Sequence, residues 1–232
     1  MCAFFSFCTT PEGVYLYFNA KERKELKKHN SNNHSSDSHT SIAHRYGYIG
    51  AYEDTLTKWE YNPLTKELKL DTKGETPPCK RDVLAYLHKL DFQQMAPELI
   101  MKKIINPFAI APPKEITPEI IALVHEWASA ADSVWDVLWD TLDASVDANI
   151  WSTVVNEVWA VSWGDMDDSL IYPMRASMLD SVRGYTTSFF KIEYETDFSS
   201  IIKLWEMGLV PYNDGSRWYL HSQNGVVWEK KI

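Results

Sequence analysis

Four residues near the start of the chain have the chemistry of a nucleophile and its helpers: Cys2, and the group Asp37-Ser38-His39. A thiol at position 2 becomes N-terminal if Met1 is removed, which commonly happens before a small residue. The freed α-amine could then act as its base, as in N-terminal-nucleophile hydrolases. In that scheme His39 orients or protonates, and Asp37 stands beside it. A Gly is expected next to the nucleophile in the amidotransferase version, and Ala3 stands there instead. The competing reading makes Cys2 a small packed residue and Asp-Ser-His the cap of a helix.

A second set is histidine. His29, His34, His39 and His44 recur every five residues. Metal binding needs three or four ligands to converge, and a spacing of five suits neither a helix face nor a zinc motif. A solvated polar loop explains them better, and no metal or other cofactor is expected. The third set is aromatic: Trp135, Trp139, Trp151, Trp159 and Trp163, whose indoles could form a ligand-stacking groove or pack repeat against repeat. Glycine-rich phosphate loops, HExxH, GxSxG and paired CxxC motifs do not occur.

The tryptophans belong to the most regular stretch of the chain. From Asp132 to Thr187 the sequence reads in fours: DSVW, DVLW, DTLD, ASVD, ANIW, STVV, NEVW, AVSW and onward. The third place holds Val134, Leu138, Leu142, Val146, Ile150, Val154, Val158, Met166, Leu170, Met174, Met178 and Val182. Ser162 and Thr186 alone interrupt it. A helix turns once every 3.6 residues, so a column of period four drifts about 40° per repeat. Such a column forms an apolar face over three repeats but would wind right round one long helix. Shorter packed helices, broken near Gly164, Pro173 and Gly184, are the favoured reading. A β-solenoid with the column pointing inward is the alternative, since Val, Ile, Thr, Asp, Asn and Ser are poor helix formers.

Other elements are signalled locally. Two apolar runs flank Thr10-Pro11-Glu12-Gly13 and predict a β-hairpin. Asn19 caps a charged helix through Lys28, and the Asn/Ser/His-rich stretch after it predicts a loop leading to a short helix that ends at Gly47. Lys58 to Asp71 is the clearest hairpin, turning at Asn62-Pro63-Leu64-Thr65. Arg81 to Leu90 predicts an amphipathic helix with Val83, Leu84 and Leu87 on one face. Thr117-Pro118-Glu119 is a strong helix start. A helix over Ser200–Met207 closed by Gly208, and a hairpin around Asn224-Gly225, complete the chain. The expected fold class is α+β: a hairpin-rich module over residues 1–115, the repeat over 116–190, and a small α/β cap over 191–232.

With 45% hydrophobic and 13% aromatic residues, the chain has a folding composition. No apolar run suits a bilayer span, the N-terminus lacks the pattern of a signal peptide, and three cysteines make no disulfide framework. A cytoplasmic protein without membrane partners is expected. The repeat carries nine Asp and one Glu against Arg175 and Arg183, a balance of −8 out of the chain's −9. Direct nucleic-acid binding is not expected of so acidic a chain, because phosphate affinity comes from Lys and Arg.

The segments MCAFFSF, DSHTSIAHRYGYIG, EYNPLT, the DSVW-type repeats, GYTTSFF and LWEMGLVPYNDGSRWYLH, which span most of the chain, resemble a set of hypothetical proteins of phages and gut-bacterial mobile elements. In such proteins a front module with Met-Cys and Asp-Ser-His is joined to repeats of various kinds, some pentapeptide-like. The repeats of this chain depart from any pentapeptide consensus. The resemblance implies a setting, host-cell cytoplasm, and directs attention to Cys2, Asp37, Ser38 and His39, but it implies no mechanism. With it, the leading expectation is an accessory binding protein that blocks or sequesters a host protein or a small ligand, in the manner of a counter-defence factor. A cysteine-dependent hydrolase or transferase using Cys2 and His39 is the alternative. A virion or assembly component, in which the chain forms a homo-oligomer, is the third.

Overall fold

The computed structural model describes residues 5–17, 55–146, 148–163 and 175–231. The chain is α+β: among the described residues there are two antiparallel sheets and a set of helices, and no closed solenoid or barrel. It divides into two compact units. One is Met1–Met101 with Val146–Thr153, and the other is Lys102–Ser145 with Val154–Ile232.

In the first unit, strands β1 (Phe5–Thr9), β2 (Tyr15–Leu16), β3 (Thr57–Asn62) and β4 (Glu67–Thr72) form a sheet in the order β2-β1-β3-β4. Both predicted hairpins are present, β1–β2 and β3–β4. Antiparallel register sets Phe5 opposite Tyr61 and Phe7 opposite Trp59, so the large side chains of adjacent strands share one face. Asn62 holds the second turn, its Oδ1 accepting the Leu64 N–H at 2.9 Å. Lys66 takes φ +65° where the chain re-enters β4. Helices α1 (Lys80–Leu87) and α2 (Phe92–Met95) follow. Val83 and Leu87 of α1 are buried, as their spacing predicts, and Tyr86 stacks on Tyr15 at 3.7 Å. The helix α2 carries no strong sequence signal. Its Phe92 packs against Phe5 and Tyr61 at 5.4 Å each, which holds it in place.

The second unit holds α3 (Pro118–Ala131), α4 (Val134–Ser145), the later turns of α5 (Ala148–Trp163), α6 (Arg175–Thr186), α7 (Ser199–Glu206) and a sheet in the order β5-β6-β7. Its strands are β5 (Val210–Asn213), β6 (Arg217–Ser222) and β7 (Gly225–Lys231). Thr117 caps α3 as expected, its hydroxyl accepting the Ile120 N–H. The α3 stripe Ile120, Val124 and Trp127 is buried, with Ile120 and Val124 clustering with Leu204, Leu209 and Leu220. A side chain of this size contributes about 1.5–3 kcal/mol when fully buried. Gly208 ends α7 at φ +74°, with the Leu209 N–H reaching Leu204 and the Gly208 N–H reaching Trp205. That is the Schellman pattern, in which glycine carries the left-handed residue at no steric cost.

The repeat folds as packed helices. Every described apolar member of its column is buried: Val134, Leu138, Leu142, Val146, Ile150, Val154, Val158, Met178 and Val182. Ser162 and Thr186, which interrupt the column, are buried as well. Each hydroxyl donates to the carbonyl four residues back, Ser162 to Val158 at 2.6 Å and Thr186 to Val182 at 2.7 Å. Both acceptors are the preceding column members, so the polar groups satisfy themselves within the helix.

One expectation is corrected. Gly184 lies inside α6 and does not break it. A Cβ there would meet the Trp127 ring at 2.7 Å and Ile201 Cγ2 at 2.9 Å, so this glycine exists for close helix packing. The chain instead leaves helical structure after Ser145, at Val146, where no Gly or Pro stands. The predicted breaks at Gly164 and Pro173 lie outside the described residues, as do the helices expected near Asn19 and Gly47. The C-terminal hairpin is also extended by a strand the sequence did not signal, β5, whose Pro211 sits among buried neighbours.

Candidate functional site

Helix α4 exposes a face that its own sequence builds. Column residues Val134, Leu138 and Leu142 face inward, which turns their neighbours Trp135, Asp136, Trp139 and Asp140 outward. Trp135 is 42% exposed and Trp139 47%, high values for indoles. Their rings lie 5.5 Å apart at 34°, one helical turn along. Asp132, Asp136 and Asp140 are all exposed along the same stretch.

A cation already sits on this face. The Arg183 guanidinium, from α6, lies 4.1 Å from the centre of the Trp135 ring. Arg183 also donates to Asp180 at 2.9 Å, in a pair that is only partly exposed. Burial pushes the Asp180 carboxyl up from its ordinary value, the Arg183 bond and charge pull it back, and Asp132 adds to the rise. The arrangement is a sequence of carboxylate, guanidinium, indole, indole. Exposed indole beside carboxylate is chemistry that suits a cation.

The remaining sequence-predicted tryptophans have other surroundings. Trp163 is 2% exposed and meets Phe108 edge-on at 4.6 Å. Trp159 is half-buried, 6.2 Å from Trp163. Trp151 is 8% exposed. Trp151 and Trp163 therefore serve packing and offer no broad face to a ligand, whereas Trp135 and Trp139 do. Cys2, Asp37 and His39, with the other histidines of the series at 29, 34 and 44, lie outside the described residues. Among the described residues no group of three or more His, Cys, Asp or Glu could hold a metal ion, and no helix is long and apolar enough to cross a membrane.

A second feature was not legible in the sequence. Asn106, Phe108, Val161, Ser162, His221, Ser222, Gln223 and Gly225 line a pocket of about 290 Å³ in the second unit. Its walls come from three separate segments, and no motif joins them. The only local hint was Ser162, the polar break in an apolar column.

The fold and these two features define an α+β protein with an acidic, aromatic helix face and a small pocket whose described lining carries no Lys, Arg, Asp or Glu. Comparison with protein-family models, curated proteins and solved structures finds no match to the chain.

Proposed function

We propose that this is a binding protein whose α4 face captures an arginine-bearing segment of a partner protein. The observation that carries the proposal is the pair of exposed indoles on an acidic helix, with the Arg183 guanidinium over Trp135 showing the contact this face makes. Arginine suits the site better than lysine. Its planar group stacks on indole while its N–H groups reach carboxylates, whereas an ammonium acts as a strongly hydrated point charge. Asp132, Asp136 and Asp140 supply the negative field that brings a basic segment in. In keeping with the phage-type resemblance, we place the protein in the host cytoplasm as an accessory factor that blocks or sequesters a host protein by its basic surface.

The proposal is tested with two labelled peptides of equal length and charge, one rich in Arg and one in Lys, titrated by fluorescence anisotropy. The Arg peptide should bind more tightly. Trp135→Ala/Trp139→Ala, which leaves the net charge unchanged, should remove that preference and weaken binding about tenfold or more. Equal affinity for both peptides, unchanged by the double substitution, would reduce the face to a general acidic surface and overturn the proposal. A double variant that alters sizing behaviour and leaves peptide affinity intact would assign the face to self-association instead.

A further inference from the structure

We infer that the pocket lined by Asn106, Phe108, Ser162 and His221 is a binding site for an uncharged planar heterocycle of nucleobase or nucleoside size. Its volume of about 290 Å³ is at the small end for ligand sites, room for one or two fused rings and little more.

The protons identify the ligand's edge. Asn106 Oδ1 accepts the Phe108 N–H at 2.9 Å, so its amide NH₂ points its donors elsewhere. The Ser162 hydroxyl spends its proton on the Val158 carbonyl at 2.6 Å, and its oxygen remains an acceptor. Nδ1 of His221 is sealed from solvent without a hydrogen-bond partner. A buried N–H without an acceptor is costlier than a buried lone pair, so the neutral ring carries its proton on Nε2. Burial also lowers the imidazole's pKa, which keeps the ring neutral at physiological pH. The pocket therefore offers donors from Asn106 and His221 and an acceptor at Ser162.

Phe108 supplies the surface on which a flat ring rests. It meets Trp163 edge-on at 4.6 Å and His221 at 5.6 Å and 70°, contacts that restrict how its ring can turn. Among the described residues, no Lys, Arg, Asp or Glu lines the pocket. A phosphate or carboxylate would lose its hydration there without a counter-charge. A ring bearing two acceptors and one donor on its edge, and no charge, fits this inventory, and nucleobases have that pattern. The acidic chain further disfavours the same base within a nucleic-acid strand.

The test uses the full chain and four free nucleosides, adenosine, guanosine, cytidine and uridine, in saturation-transfer NMR and calorimetry. At least one should bind saturably, and its 5′-triphosphate and a short single-stranded oligonucleotide should bind more weakly. Phe108→Ala should weaken that nucleoside about tenfold through lost stacking. Asn106→Asp, which keeps the cap on the Phe108 N–H and the side chain's shape but removes the NH₂ donors, should weaken it comparably. Near-UV circular dichroism establishes that each variant is folded. The inference is overturned if no nucleoside saturates into the millimolar range, if both folded variants bind as the parent does, or if the oligonucleotide binds best.

Discussion

Two pairs of tryptophans, each one helical turn apart and each in the fourth place of the same tetrads, have opposite surroundings. Trp135 and Trp139 on α4 are 42% and 47% exposed, while Trp163 on α5 is 2% exposed with Trp159 half-buried beside it. Period and residue type are the same. The difference is what lies across from each pair. Phe108, carried by a short 3₁₀ turn at Pro107–Ala109, closes over Trp163. Trp135 has the Arg183 guanidinium, which covers a ring without removing it from water. The same indole pair is thus packed inward in one helix and left at the surface in the other.

The largest effect that would break this comparison is on stability. Trp163→Ala should cost about 3–5 kcal/mol in urea unfolding, as expected for truncating a buried indole. Trp139→Ala should stay within about 1 kcal/mol and act on peptide binding instead. Equal losses would mean that the two pairs are both structural.

A pH titration sharpens the contrast from the buried side. His221, which packs on Phe108, has its pKa lowered by burial from the ordinary 6.5. The unfolded chain takes up this proton at a higher pH than the folded protein does. His221 therefore contributes stability above about pH 6.5 that is lost as the pH falls through the folded value. Denaturation midpoints measured from pH 7.5 to 5 should fall less steeply in His221→Gln than in the parent. An unchanged slope would show that His221 charges freely in the folded state.

The smallest effect concerns the column itself. Ser162→Val restores an apolar residue at a buried position whose hydroxyl bonds only within its own helix. Stability should change by no more than about 1 kcal/mol, since one self-satisfied hydrogen bond is exchanged for apolar contact. A loss well beyond that would mean that the hydroxyl has a further partner, such as a ligand in the pocket.

Much of the fold was legible because its signals are local. Turn residues announced three hairpins, Thr117-Pro118 announced α3, and the period-four column marked the buried side of α4, α5 and α6. Gly184 misled because a helix breaker and a packing glycine are the same residue. What separates them is the Trp127 ring, which lies far away in sequence. The strand β5 was missed because Pro211 argues against a strand. The neighbours that override this prior are Ser181, donating to the Pro211 carbonyl, and Ser177, accepting the Asn213 N–H at 2.9 Å.

By itself the sequence determined which column of the repeat is buried and that the stretch is acidic, and it favoured short packed helices over a β-solenoid without deciding between them. Those properties follow from the angle between residues four apart and from charge, which need no partner. Which tryptophans stay in water, and that Asn106, Phe108, Ser162 and His221 meet around one pocket, were decided by tertiary structure alone. Those outcomes depend on contacts between segments far apart in the chain, where the packing of one surface against another sets exposure and no residue spacing encodes the meeting.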